Sequence, residues 1–399
     1  MTETGLYVHI PFCRQRCGYC DFNTFTGLSR LMPAYVKSLC QEMEGVGKRT
    51  SEDVRIDTIF FGGGTPSLLS LDQFAEIFGS MRTAFQILPD AEITIEANPG
   101  TVTQEYLQGL AGLGVNRMSF GMQSANTQDL VTLNRQHQLR DVVNAVLWSE
   151  LAGIKHINLD LIFGIPGQSL ESWQNTLELA SSFRIDHISL YSLIIEDGTP
   201  FKRWYEHGLL PEIDEETVAE MYELAGAFLG GRGYSQYEIS NWALNRPDGL
   251  DARCQHNLHT WQFHPYFGFG TGASGFIKGV RTTNVPSIPN YINRVKTAGS
   301  NWPAAESISE LEAWDLMQEF MMIGLRLTEE GISETDFFSR FGKSMDSVFR
   351  KQINDLQKHG LLERHPQKQD RLRLSEQGRL LGNQVFIEFV GNPTPKDLG

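Results

Sequence analysis

Short apolar runs alternate with amphipathic segments over the first half of the chain. The runs are rich in β-branched and aromatic residues, which favours strands, whereas apolar residues between the runs recur at helical spacing. We predict strands over 6–10, 56–61, 92–97, 117–121, 156–163 and 187–195. We predict helices over 33–45, 70–85, 103–113, 140–152 and 170–183. This alternation indicates parallel strands joined by helical crossovers, and therefore an α/β fold.

Six strand–helix units fit a partial (β/α)6 barrel, with a flat doubly wound sheet as the alternative. Polar and glycine residues recur where the predicted strands end: glycines at 62–64, then Glu96 and Gln123, while Asp160 lies within the fifth strand. In parallel α/β barrels, active sites assemble at the carboxyl ends of the strands. This recurrence favours the barrel.

The pattern changes beyond about residue 210. A helix predicted over 214–229 precedes a loop-rich segment, 241–290, with many Gly, Pro, Asn and aromatic residues. Helices over 311–326, 333–341 and 345–359, followed by a β-like stretch over 361–374, indicate a winged-helix-like module. We therefore predict a barrel over 1–230, a loop-rich accessory segment over 231–305 and a C-terminal helical, winged-helix-like domain over 306–399.

Composition and charge indicate which classes of partner and which cellular compartment to expect. The 399 residues include 34 Lys and Arg against 48 Asp and Glu, and the resulting net charge of −14 disfavours binding to nucleic acid phosphates. The C-terminal module is acidic as well, so we expect it to be structural or to face a protein partner. No secretory signal and no span apolar enough to cross a bilayer stand out. We therefore expect a cytoplasmic protein without a transmembrane segment.

Three of the five cysteines crowd one short window after the first predicted strand: Cys13, Cys17 and Cys20, in a CxxxCxxC spacing. So low and odd a cysteine count does not form a secreted disulfide framework. A structural zinc site is one interpretation, although zinc takes four ligands and no second compact Cys/His pair follows. Three thiolates also suit a 4Fe–4S cluster, with one iron left open for the amine and carboxylate of a small molecule.

This spacing, on the loop after the first barrel strand, resembles the radical S-adenosylmethionine (SAM) superfamily. The resemblance implies a 4Fe–4S cluster on Cys13, Cys17 and Cys20, whose open iron binds the methionyl part of SAM. It also implies an electron donor to the cluster, since an electron from the cluster would cleave a carbon–sulfur bond of SAM.

Within the superfamily, the chain is similar to the coproporphyrinogen-oxidase-like branch over nearly its whole length. The matching motifs, in order, are YVHIPFC, CxYCDFN, FFGGGTPS, ITIEANPG, SFGMQS, LNRQH and NLDLIFGIPGQ. The SAM-binding positions of that branch correspond here to Tyr7, Gly63, Gly64, Thr65, Glu96, Gln123, Arg135 and Asp160.

The chemistry of these residues agrees with that role. The glycines let backbone approach a ligand, and their N–H and C=O groups suit the methionyl amine and carboxylate, although a tight turn alone would also explain them. Glu96 suits an acceptor for ribose hydroxyls. Asp160 sits in an apolar run, which predicts a ligand or an arginine as its partner. Tyr7 could cover the cofactor or be an ordinary core aromatic.

Two members of this branch differ beside the triad. The coproporphyrinogen III dehydrogenase carries a further Cys two residues after the triad, and this chain has Phe22 there. Cys-Asp-Phe is instead similar to the HemW family of haem chaperones, which implies binding of haem and its transfer to an acceptor protein. An oxygen-independent coproporphyrinogen III dehydrogenase is the alternative, so enzyme activity stays open. A zinc-stapled binding module is the third hypothesis.

HemW-like proteins carry an HNxxYW motif associated with haem, and this chain reads HNLHTW from residue 256. The resemblance implies haem contacts by His256, Asn257 and Trp261, with His259, His264 and Cys254 as weaker candidates. Neutral imidazole is a haem-iron ligand. The alternative for His256 is a hydrogen-bonded structural histidine in an aromatic loop.

Two further patterns receive structural interpretations. The GxGxxG match at 270–275 lacks the following helix and acidic residue of a dinucleotide site, because Pro286 and Pro289 come next. We expect this glycine loop to pack closely against the cluster end of the barrel. Cys40, on an amphipathic helix, is predicted to be plain core.

Overall fold

A computed structural model describes residues 2–49, 54–297 and 302–391. Its first part contains six parallel strands: β1 (Thr2–Ile10), β2 (Val54–Gly63), β3 (Gln86–Ala97), β4 (Arg117–Gln123), β5 (His156–Phe163) and β6 (His187–Ser192). They lie side by side in chain order. In a doubly wound sheet, by contrast, the order reverses at a switch point. The barrel prediction is therefore confirmed over the flat-sheet alternative.

Helices connect these strands: α1 (Met32–Gly47), α2 (Leu71–Ala84), α3 (Gln104–Leu113), α4 (Thr127–Thr132), α5 (Leu139–Leu151) and α6 (Leu170–Ala180). Helix α2 shows why the sequence folds this way. Ser70 caps its first turn by accepting from the Gln73 N–H at 3.2 Å, and the Gln73 side chain accepts in return from the Ser70 N–H at 2.9 Å. Its apolar stripe, which includes Phe74 and Phe78, is buried in the main core.

The chain then extends the sheet at both edges. The elements are α7 (Pro200–Glu206), α8 (Glu215–Gly230), β7 (Tyr234–Glu238), β8 (Asn241–Leu244), α9 (Gln255–Trp261), β9 (Tyr266–Phe269), β10 (Ser274–Ile277), β11 (Val280–Asn284), α10 (Ile288–Thr297) and β12 (Ala305–Glu310). Strand β8 pairs antiparallel with β6, and β9 pairs parallel with β1. The barrel is therefore open, with 12 strands in one sheet. The predicted accessory segment thus supplies strands to the sheet of the barrel.

The C-terminal region has a core of its own. Its elements are α11 (Ala313–Gly324), β13 (Ile332–Ser333), α12 (Glu334–Phe341), α13 (Met345–Lys358), β14 (Leu362–Arg364), β15 (Arg371–Leu374), α14 (Glu376–Leu380) and α15 (Gly382–Ile387). Strand β15 pairs antiparallel with both β13 and β14. Met321, Phe337 and Phe349 are buried together beside this small sheet. The helical, winged-helix-like prediction is confirmed. Among the described residues, no helix is long and apolar enough to cross a membrane.

Candidate functional site

The three clustered cysteines lie on a loop between β1 and α1. The base of the loop is closed by two backbone hydrogen bonds, from the Cys13 N–H to the Phe25 carbonyl at 3.0 Å and from the Phe25 N–H to the Pro11 carbonyl at 2.7 Å. The Thr65 hydroxyl donates to the Cys13 sulfur at 3.6 Å. Burial raises the pKa of the Cys13 and Cys17 thiols, so a bound metal has to supply the charge that makes them thiolates.

A cavity of about 370 Å³ opens beside this loop at the carboxyl end of the barrel strands. All three cysteines line it, together with these predicted SAM-binding residues: Gly63, Gly64, Thr65, Glu96, Gln123, Arg135 and Asp160. Tyr7 lies deeper in the barrel, with its hydroxyl 2.9 Å from His9 Nδ1 and its ring stacked on Phe60. The structure therefore brings seven of the eight predicted residues to one cavity and leaves Tyr7 beneath it.

The glycine segment bends β2 against the cysteine loop. Gly63 has a φ of +107°, a conformation that favours glycine, and a Cβ there would clash with the His9 ring. The Gly63 N–H donates to Glu96 Oε2 at 3.1 Å. The Gly64 N–H donates to the carbonyl of residue 10 at 2.9 Å, and the Thr65 N–H to that of residue 12 at 2.8 Å. These N–H groups, which we expected to face a ligand, are thus engaged inside the protein. The glycines supply close approach rather than free donors.

Two donor side chains reach the cavity from β4 and the segment after α4. Gln123 has a φ of +66°, rare for a residue with a side chain, at a bulge where β4 leaves register with β5. Arg135 donates from Nη1 to Asn98 Oδ1 at 2.5 Å and from Nη2 to the Tyr19 hydroxyl at 2.7 Å. Its buried Nε has no hydrogen-bond partner among the described residues. The guanidinium is therefore fixed in place with one donor unused.

Two carboxylates face each other across the cavity floor. Asp160 accepts from the Ser119 hydroxyl at 2.9 Å and from Asn158 Nδ2 at 2.8 Å. The charge of Arg135, which lines the same cavity, also acts on Asp160, and burial still raises the pKa of this carboxyl. That Asp160 needs a ligand or an arginine stays a prediction. Among the residues that the structure describes, Glu96 accepts a single hydrogen bond, from the Gly63 N–H. Burial together with the Asp160 charge raises the pKa of Glu96 to about 8. Glu96 is thus the carboxylate that a hydroxyl-bearing ligand would stabilise most.

These residues fit the two groups that the resemblance implies. No three His, Cys, Asp or Glu side chains of the described chain converge on a point suited to a single metal ion. The thiolates of a 4Fe–4S cluster bind separate irons, so three thiols around one cavity meet its requirement. For SAM, the cavity offers an under-bonded acceptor in Glu96 and an unused donor in Arg135.

The HNLHTW motif forms α9, which closes the amino end of the barrel, opposite the cysteine cavity. His256 is buried: its Nδ1 lies 3.0 Å from the Thr58 hydroxyl and its ring stacks on Phe60 at 5.2 Å. Asn257 is half-buried on the same helix. The Trp261 ring lies beneath the Arg326 guanidinium at 4.5 Å. The geometry of His256 is that of the structural alternative, and a haem contact would require α9 to move.

A buried ion pair, which we did not predict from the sequence, anchors α9. Glu92 and Arg117 pair at 2.8 Å, and the same carboxylate accepts from the N–H groups of Gln255 and His256, both at 3.1 Å. Burial opposes ionisation of Glu92, but the Arg117 charge and these donors outweigh it and lower its pKa. The sequence does contain a signal for this pair, because Glu92 and Arg117 stand at the starts of two consecutive predicted strands, 92–97 and 117–121.

A chain of polar side chains also crosses the barrel interior. From Asp160 it passes to Asn158 at 2.8 Å, to His187 Nδ1 at 2.7 Å and to the Tyr237 hydroxyl at 2.9 Å. The Cys254 N–H, at the start of α9, donates to that hydroxyl at 3.3 Å. Burial holds the pKa of His187 well below its usual range. Hydrogen bonds therefore link the cavity floor to the motif helix.

Three smaller predictions concern the cavity rim and the core. Gly270 and Gly272 are positions where a Cβ would clash with the Tyr35 hydroxyl and with Asn23 of the cysteine loop, so the close packing of this loop is confirmed. Cys40 is buried in the main core, as predicted. The Phe22 side chain lines the cavity rim and is 63% exposed.

Two family models match this chain. The family model of the radical SAM superfamily matches residues 7–180, and that of the HemN C-terminal domain matches 311–381. The haem chaperone HemW of Bacillus subtilis is 36% identical over 386 residues, covering 96% of this chain and 98% of the relative. HemW of Escherichia coli is 34% identical, covering 97% and 98%.

Two further matches extend the comparison. The bovine mitochondrial radical S-adenosyl methionine domain-containing protein 1 is 33% identical, covering 90% of this chain and 82% of its own length. The solved structure of coproporphyrinogen III oxidase (HemN) from Escherichia coli superposes with a TM-score of 0.83. That match covers 97% of this chain and 90% of the other at 22% identity, so it establishes a shared fold alone.

Proposed function

We propose, since this chain belongs to the HemW family of radical SAM proteins, that it binds haem and transfers it to an acceptor protein. The observation that carries this proposal is the similarity to haem chaperones, 36% identity across 96% of this chain. The similarity spans the barrel, the motif helix and the C-terminal region. Haem and a haem-accepting protein are therefore the proposed partners.

The cysteine cavity is the proposed cofactor site. Cys13, Cys17 and Cys20 would hold a 4Fe–4S cluster, which supplies one-electron chemistry when bound and implies a reduced protein as electron donor. Arg135 would orient SAM through its unused Nε–H, and Glu96 would accept from ribose hydroxyls. Because three thiols must stay reduced to bind iron, we place the protein in the cytoplasm. Its net charge of −14 argues against nucleic acid as a partner.

A coproporphyrinogen III dehydrogenase-type activity is the second candidate. The cavity favours it, since its donors and acceptors would suit SAM cleavage as well as SAM binding. Phe22 argues against it: at the position where the dehydrogenase carries a further cysteine, this side chain offers no thiol and is 63% exposed at the cavity rim. We therefore rank the haem carrier first.

One reconstituted sample tests both functions. After anaerobic loading with iron and sulfide, the full-length protein is titrated with ferric haem, and a separate portion receives SAM, a reductant and coproporphyrinogen. We expect a Soret shift and stable haem binding without oxidised porphyrin product. Phe22→Cys is the matched variant for the second assay. Product formation without haem binding would favour the enzyme over the carrier. If the protein neither binds haem nor forms product, both functions are refuted.

A further inference from the structure

Helix α5 carries a row of exposed apolar side chains. Leu139, Val143, Leu147 and Leu151 follow one another at intervals of four residues, and these residues are between 37% and 59% exposed. Side chains four residues apart lie on one ridge of a helix, so the row forms a continuous ridge about 18 Å long at about 1.5 Å per residue. Single exposed apolar residues are ordinary, whereas a contiguous apolar patch marks a contact surface. The proposed cofactor site leaves this ridge without a role.

The ridge begins beside the cysteine loop. Helix α5 follows β4, so its first turn lies at the carboxyl end of the barrel, where the cysteine loop also lies. The segment before α5 is joined to that loop through Gln15, whose Nε2 donates to Asn134 Oδ1 at 2.7 Å and whose Oε1 accepts from Gln136 Nε2. Val131, in the short helix α4, is 62% exposed and adds apolar surface near this junction. The apolar surface therefore reaches the loop that carries the three cysteines.

The surface where the ridge meets the cysteine loop is positively charged. Arg14 and Arg16 are exposed in the loop, and the Arg140 side chain is 78% exposed in the first turn of α5, 4.0 Å from Asp141. Within the described chain, the Arg14 side chain has no hydrogen-bond or ion-pair partner, and Arg16 donates only to a backbone carbonyl at 3.4 Å. Between β1 and α1 the chain has three arginines against one carboxylate, Asp21, although its net charge overall is −14.

Two of these arginines lie next to the proposed cluster ligands. Arg14 directly follows Cys13, and Arg16 directly precedes Cys17. The three clustered cysteines are only partly buried, so the described residues leave the loop accessible. The rate of electron transfer falls steeply with distance, and a protein that contacts these arginines is one residue away from two of the thiols. This surface is therefore where a donor can deliver an electron to the cluster.

We infer, on the basis of the proposed function, that the electron donor is a small acidic one-electron carrier protein and that it docks on this surface. Its acidic groups face Arg14, Arg16 and Arg140, and its apolar side chains cover the ridge of α5. The reduced centre of the carrier loses one electron and the oxidised cluster gains it, with no bond formed or broken. Complementary charge raises the rate of encounter. Electron-transfer complexes are weak and bury less than about 1,200 Å² in total, and a ridge of this length fits so small an interface.

The test is binding of plant-type ferredoxin, an acidic carrier, to the full-length protein, measured by calorimetry; no cluster is needed for it. Cytochrome c, a basic carrier, is the control probe. We expect ferredoxin to bind at low ionic strength and to dissociate at about 1 M salt, where the screening length is about 3 Å, whereas cytochrome c does not bind.

Variants locate the binding surface. Arg14→Glu/Arg140→Glu and, separately, Leu147→Glu are each expected to weaken ferredoxin binding at least about tenfold. The matched controls are Arg184→Glu, in the loop after α6, and Ile387→Glu, in α15. Each replaces an exposed residue of the same type elsewhere in the chain, so binding should equal that of the wild type.

Reduction of the cluster is the second measurement. Reduced ferredoxin is mixed anaerobically with the reconstituted protein, and the loss of visible cluster absorbance is followed. Arg14→Glu/Arg140→Glu should slow this reduction at least about tenfold. Photoreduced deazaflavin, a small uncharged reductant that needs no docking surface, should reduce the variant at the wild-type rate.

The outcomes separate this docking surface from the proposed function. If ferredoxin binds all variants equally, or binds no better than cytochrome c, the docking surface is refuted, while haem binding decides the proposed function separately. If the wild type is a dimer in light scattering and Leu147→Glu makes it a monomer, a second copy covers the ridge and the inference is overturned. A reconstituted protein that holds neither cluster nor haem would refute the proposed function and, with it, this inference.

Discussion

Replacing Glu92 by Ala tests whether the buried ion pair holds the motif helix in the barrel. The carboxylate neutralises Arg117 at 2.8 Å and accepts the N–H groups of Gln255 and His256. Truncation leaves the Arg117 charge buried, with side chains 2% and 8% exposed in the intact pair. It also leaves two backbone donors at the start of α9 without their acceptor.

The expected loss in the free energy of unfolding is about 3–5 kcal/mol, the usual cost of removing one partner from a buried ion pair. That is a large part of the stability of a typical domain, about 5–15 kcal/mol. The pKa of Glu92 is lowered in the folded state, so its contribution is present above the unfolded pKa and lost as the pH falls through the folded pKa. The wild type and the variant should therefore converge in stability at acid pH.

Urea unfolding at pH 7 measures this loss, and hydrogen exchange of the Gln255 and His256 amides locates it. The double variant Glu92→Leu/Arg117→Met is the control: it leaves the same two backbone donors without their acceptor but no unpaired charge, so it is expected to cost less than Glu92→Ala. A loss below about 1 kcal/mol for Glu92→Ala, or unchanged exchange at those two amides, would refute the anchoring role.

Three further predictions concern the cluster, the cofactor and a buried carboxylate. Cys17→Ser should abolish the visible absorbance of the reconstituted protein, and an unchanged spectrum, or zinc without iron in metal analysis, would overturn the cluster assignment. Arg135→Met should weaken SAM binding, measured by calorimetry, by about tenfold to a hundredfold, since a charged hydrogen bond contributes about 1.5–3 kcal/mol; the cluster absorbance should persist, and unaltered affinity would contradict the role. Burial raises the pKa of Glu42 to about 7, so the folded state keeps a proton that the unfolded state releases near 4.5, and stability should fall by about 3 kcal/mol as the pH rises between these values. Glu42→Gln should flatten that dependence in urea unfolding at pH 5 and pH 8, and equal slopes would disprove it.

The strand–helix order could be predicted because buried parallel strands and amphipathic helices differ in apolar period. The strand predicted over 156–163 coincides with β5. Strand β3, by contrast, begins at Gln86, six residues before the prediction, because this half of the strand contains Pro89 and Asp90 and lacks an apolar run. Helix α4 was missed because its 6 residues, from Thr127 to Thr132, are too few to display a stripe.

The cavity residues could be predicted from motifs at strand ends, whereas their partners could not. Asp160 finds Ser119 on the neighbouring strand, 41 positions away, a contact set by strand register rather than by local sequence. The orientation of α9 could not be predicted from the sequence either. Which face of that helix enters the barrel depends on Glu92, 164 positions from His256.

The hydrogen bonds around the cysteine loop have a thermodynamic consequence for loading. Backbone hydrogen bonds across the base of the loop, and from the segment that follows β2, fix the loop. The Phe201 N–H donates to the Gly18 carbonyl at 3.0 Å, and Arg135 donates to the Tyr19 hydroxyl. Ordering the backbone of one residue costs about 1–2 kcal/mol in entropy. The residues of this loop are already ordered in the folded protein, so cluster binding does not have to offset that entropy. The binding energy of an incoming cluster is then available for affinity. In a loop without these hydrogen bonds, part of the binding free energy would offset the entropy lost when the loop becomes ordered. The loop is therefore preorganised for a cluster.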